Sequence, residues 1–152
     1  MEQDNEITIT GNIATYVMPP TSSEILGTCT GTFQFKTYLT PLEEIQAGKE
    51  LRALLGDLGS QASEKEIDCA FALVQLKYRV IKSPPFWSST LQDSPYSGNI
   101  PDGNIIGMII NKAMRAETMY KELLFNERET ILNQAIKKGE ELLRKQSGQP
   151  EA

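Results

Sequence analysis

The chain contains no histidine. That removes the commonest general base, the commonest metal ligand, and the Ser–His and Cys–His nucleophile pairs. Carboxylates, lysines and tyrosines remain as acid–base groups. Carboxylates do come in pairs, at Glu43–Glu44, at Glu64 with Glu66, and at Glu140–Glu141. The first two pairs open predicted helices, where the helix macrodipole favours negative charge. The third alternates with Lys and Arg on a solvated helix face. No GxGxxG or GK[ST] phosphate loop occurs. Asp102-Gly103-Asn104 matches a fragment of a calcium loop but lacks the remaining ligands at loop spacing, so it reads as a helix cap. Cys29 and Cys69 have no metal-type spacing. They read as free thiols behaving as small apolar residues, which implies a reducing compartment. The expectation is a non-enzyme with no catalytic residue, cofactor or metal.

Residues suited to binding a protein are easier to find. Phe86 and Trp87, the latter the only tryptophan, sit between Pro84-Pro85 and Ser88-Ser89, and Tyr96 follows in the same segment. Two readings stand. Both rings fold back as a lid over the end of the second helix, or they anchor a partner, a role in which aromatic residues are enriched. The second candidate surface is a sheet edge near Phe33 and Phe35. An unpaired edge can accept a strand from another chain, and Thr28, Thr30 and Thr32 on the outer face suit either that or plain solvation.

The elements that position these residues follow from periodicity. Residues 6–18 form a short hairpin or an extended arm bending at Gly11-Asn12, and Pro19 to Ser23 read as a linker-like break. From Cys29 to Leu39 the alternation has period two. Cys29, Gly31, Phe33, Phe35 and Leu39 share one face. A lone strand is not stable, so it must pair with an N-terminal strand or another chain. The segment Glu24 to Gly27 can start that hairpin.

Thr40-Pro41-Leu42-Glu43 is a capping box with proline at the first helical position. It predicts a helix that carries Leu42, Ile45, Leu51, Leu54 and Leu55 on one side and stops at Gly56. Gly48 weakens it by about 1 kcal/mol relative to Ala. A second capping box at Ser63 to Glu66 starts a helix with the stripe Ile67, Ala70, Phe71, Val74, Tyr78 and Ile81, which Ser83-Pro84-Pro85 ends. Residues 84–104 read as a long loop. A third helix runs from near Pro101-Asp102 to about Lys145, roughly 65 Å at 1.5 Å per residue. Either it breaks near Asn126, or its charged C-terminal half projects and packs on a partner.

A length of 152 residues suits one domain. The predicted organisation is an extended arm or first strand over 1–23, a β-plus-helical domain over 24–145, and a disordered tail over 146–152. The fold class is mainly α (α+β), a short N-terminal β-hairpin or sheet packed on a three-helix bundle with a long C-terminal helix. The net charge of -5 argues against a phosphate-backbone partner. The acidic N-terminus lacks an apolar core, so no signal peptide is expected, and no apolar run reaches the ~20 residues of a membrane span.

Gly31-Thr32-Phe33-Gln34-Phe35-Lys36, followed by Thr40-Pro41-Leu42-Glu43, resembles the tail assembly chaperones of long-tailed, siphovirus-like bacteriophages. So does the ending Leu76 to Trp87, a helix running into prolines and aromatics. The likeness covers roughly residues 28–90 and leaves 1–25 and the long third helix unexplained. It implies a partner, the aggregation-prone tape measure protein or another tail protein. It also implies self-association into a homo-oligomer, help with tail-tube assembly, and a place in the host cytoplasm, without nucleic acid or membrane. Phe33, Phe35, Phe86, Trp87 and Tyr96 are then the candidate binding residues. The alternative is a virion structural protein, a head–tail connector or neck component that uses the N-terminal arm and long helix to build a ring.

Overall fold

The computed structural model describes residues 6–56, 61–89, 95–96 and 98–148. They fall into two compact units, Met1–Thr118 and Met119–Ala152.

Four strands make an antiparallel sheet in the order β1 (Ile7–Thr10), β2 (Ile13–Ser23), β3 (Gly27–Lys36), β4 (Val80–Lys82). The first two form a hairpin, with Thr10 opposite Ile13 and Gly11 at φ +62° in the turn. Of the two readings of this segment, the hairpin holds. The predicted break at Pro19 to Ser23 does not, because β2 runs on through both prolines. Pairing with β3 shifts register between Met18 and Thr21. β1 pairs only as far as Tyr16, so neither proline is asked to donate to it.

Alternation along β2 and β3 sets the core. Tyr16 lies opposite Phe33 and Ala14 opposite Phe35. The three rings stack with centroids 5.8–6.4 Å apart, and Met18 and Cys29 are buried on the same face. Thr28, Thr30 and Thr32 point to solvent.

Helix α1 (Pro41–Leu55) opens with the expected capping box. Thr40 accepts from the Glu43 N–H and the Glu43 carboxylate accepts from the Thr40 N–H. Its expected apolar side is not a core face: Leu42 is 64% exposed and Ile45 57%, and Ala47 is the buried residue. Helix α2 (Glu64–Arg79) has the second capping box, at Ser63 and Glu66. Ala70, Ala72, Val74 and Leu76 are buried, whereas the stripe residues Ile67 and Phe71 are exposed. The chain then continues as β4, so the helix stops at Arg79, before the prolines.

Within the expected loop of 84–104 lies a single turn, α3 (Pro85–Ser88); residues 90–94 and 97 of that loop lie outside the described residues. Helix α4 (Gly103–Ser147) is continuous through Asn126, so the predicted break is absent. In the first unit it buries Ile105, Ile106, Ile109, Ala113 and Ala116. Polar ties fix these turns. Ser23 donates to Asp102 at 2.5 Å. The Lys112 ammonium reaches Glu6 at 3.5 Å and lies over the Tyr16 ring. The buried Arg79 guanidinium donates to Gln75 and, at 2.8 Å, to Glu117. Gln146 and Ser147 complete α4, the Gly148 N–H donates back to the Lys145 carbonyl, and the rest of the expected tail, 149–152, lies outside the described residues.

Candidate functional site

Three of the five aromatic candidates are core. Phe33, Phe35 and Trp87 are each 0% exposed, so no partner can reach them, and their assignment to a binding surface is corrected. The cause is the position of α3. Its single turn swings Trp87 edge-on to Phe33, with centroids 5.3 Å apart and planes at 84°. Gly98, at φ +83°, lies so close to the indole that a methyl group there would collide with it. Gly31 in β3 leaves room for Pro84 in the same way. The lid reading therefore describes Trp87. Phe86 is half-buried, edge-on to Phe33 at 6.2 Å.

Tyr96 belongs to a polar cluster instead. Glu50 of α1 accepts from Lys77 Nζ at 2.9 Å and from the Tyr78 hydroxyl at 2.6 Å, and Tyr96 also bonds to it. The Tyr78 bond, then the Lys77 ammonium, hold the Glu50 carboxyl below the usual range. The same bond pushes Tyr78 up to about 12. One carboxylate with an ammonium and two phenols clamps α1, α2 and the following segment together.

The other perturbed groups are likewise structural. Hydrogen bonds from Lys36 and the Thr40 backbone lower Glu43, and the Ser63 backbone lowers Glu66. The Ser23 hydroxyl, then the Ile105 and Asn104 N–H groups, lower Asp102, which caps α4. Burial, with Asp102 nearby, raises the Cys29 thiol, whereas Cys69 is exposed on α2. No group of three or more potential metal ligands occurs among the described residues. No helix there is long and apolar enough to cross a membrane.

The surfaces a partner can reach lie elsewhere. In the first unit a half-open groove of about 1090 Å³ runs between the turn after β2, the first half of α2 and the first turns of α4. Ile25, Phe71, Ile110 and Met114 give it apolar walls, with Lys65 and Asp68 among its polar lining. Ile25 is 63% exposed and Phe71 39%. The groove follows α4 from Gly103 to Met114, roughly 18 Å of helix at 1.5 Å per residue. Sequence periodicity placed Phe71 on the apolar stripe of α2. A helical stripe shows only that residues share a side, not that the side is covered. The second unit carries a further set of exposed apolar residues on α4, among them Phe125, Ile131 and Leu143. No family model matches this chain, and neither curated proteins nor solved structures provide a match.

Proposed function

We propose that the chain is a protein-binding assembly factor, a bacteriophage tail assembly chaperone that holds a helical segment of the tape measure protein. The observation that carries this reading is the groove. It is open, lined by exposed and half-buried apolar side chains, and long enough for about three turns of a client helix laid along α4. Apolar grooves of this kind take amphipathic helices through anchors at i, i+3, i+4 and i+7. The order of elements resembling the chaperone family supplies the client class. In this reading α1, α2 and the first turns of α4 act as the three-helix body on which the sheet packs.

The test is co-expression of the full chain with a helical segment of a tape measure protein, followed by co-purification and titration. The expected result is capture of the segment. Phe71→Glu, on an exposed wall of the groove, should weaken it at least ~30-fold, the cost of about 2 kcal/mol at an interface anchor. Failure of the wild-type chain to retain any tape measure segment, or undiminished capture by Phe71→Glu, overturns the proposal.

The alternative, a virion structural part, draws support from the exposed apolar residues of α4 in the second unit, which a ring of subunits would bury. Mass spectrometry of finished particles separates the two, because a chaperone leaves and a connector stays.

A further inference from the structure

In the second unit α4 is the sole element among the described residues, and it is amphipathic. At 100° per residue its apolar positions from Leu124 to Leu143 fall within an arc of about 140°. The polar positions fill the rest of the turn. The large side chains on the arc are mostly exposed, Ile131 at 66% and Leu143 at 67%.

The spacing of positions on that arc reads the same in both directions. Run antiparallel to itself in one register, the helix sets Leu124 against Leu143, Phe125 against Leu142, Ile131 against Ile136, and Leu132 against Ala135. The same register sets Arg128, the only charged residue on the arc, against Gly139, the only residue there without a side chain. Glycine weakens a helix interior, and Gly139 has no reason for its place within the chain, since a Cβ there would meet nothing within 4 Å. Against a second copy it becomes the slot over which the Arg128 stem lies while its guanidinium reaches water.

Charge follows the same sense. Residues 121–129 hold three acids and two bases, and residues 137–145 hold two acids and four bases, so antiparallel pairing lays an acidic half on a basic half.

The geometry points to a second copy of this chain as the occupant of this face, docked antiparallel about a two-fold axis between Asn133 and Gln134. A self-complementary patch of this kind is what an isologous dimer requires. Glu127 then lies beside Lys138 of the second copy on one flank. On the other flank Glu129 lies near Glu140 of the second copy, a like-charge contact. A parallel pair would instead bring Glu140 toward Lys138 and Lys145. This surface is separate from the groove assigned to the client, and the inference stands without that assignment.

Sedimentation equilibrium of the full chain across concentration tests it. The expected result is a monomer–dimer equilibrium that Leu132→Glu weakens at least tenfold and Glu140→Lys tightens severalfold, with helix content unchanged by circular dichroism. Residue 132 is exposed, so its substitution does not threaten folding. Three results would each overturn the inference: a strict monomer at ~100 μM, an indifferent Leu132→Glu, or a dimer that Glu140→Lys weakens. A monomer whose Leu132→Glu variant loses binding to anionic vesicles would assign the face to lipid and overturn it too.

Discussion

Trp87 packs against a position that admits no side chain of its own. Gly98 has both a left-handed backbone, at φ +83°, and the indole against its Cα. Gly56 has the backbone condition alone, at φ +53° with nothing near a Cβ. Gly98→Ala should therefore cost about 3 kcal/mol, from overpacking and left-handed strain together. Gly56→Ala should cost about 1 kcal/mol. Urea unfolding followed by the emission of Trp87, the single tryptophan, reads both. Equal losses would show that the ring can move aside.

Tyr16 offers a test by pH. Its phenol is pushed up to about 12 by burial, with Glu6 adding to the shift, while an unfolded tyrosine ionises near ~10. The folded pKa is the higher, so the contribution is complete below pH ~10 and is lost as pH rises toward 12. Two units correspond to roughly 3 kcal/mol. Tyr16→Phe should keep more of its stability between pH 10 and 12 than the parent chain does, as read from urea midpoints at pH 9 and 11.

Elements were legible where their signals are local. Both capping boxes lie at the predicted residues, because a cap involves only four consecutive positions. Thr40→Ala should cost about 1 kcal/mol by loss of the cap bond, measured as a drop in urea midpoint. No change would mean that solvent replaces it fully. The period-two face of β3 was legible for the same reason, since Cys29, Phe33 and Phe35 face inward without reference to any other element. What failed were the inferences about which helix side a neighbour covers. The stripes of α1 and α2 placed Leu42, Ile45 and Phe71 on a common side, yet these residues stay exposed. The Pro19-Pro20 step reads as a break in any local scan. It survives inside β2 because the register shift and the short β1 relieve it of donor duties.

At the scale of the whole molecule the proposed binding surfaces were the least legible part. Aromatic residues beside prolines suggest an anchor, but Phe33 and Trp87 meet across a long stretch of chain and bury each other. The groove forms only when the turn after β2 comes beside α2 and α4, which no sequence window contains. The arc on α4 was different. It lies within one helix and was visible as a charged, periodic segment whose partner the sequence did not name.

The two surfaces belong to different compact units and share no residues. Substitutions without shared partners add within about 0.5 kcal/mol. Phe71→Glu should therefore weaken client capture and leave the dimer constant unchanged, and Leu132→Glu should do the reverse. The double variant should show both losses at their separate sizes, measured by titration and sedimentation on one preparation. Coupling well above that limit would mean that client and second copy compete for one state of the chain, in which case dimer dissociation rather than groove access would control the release of the client.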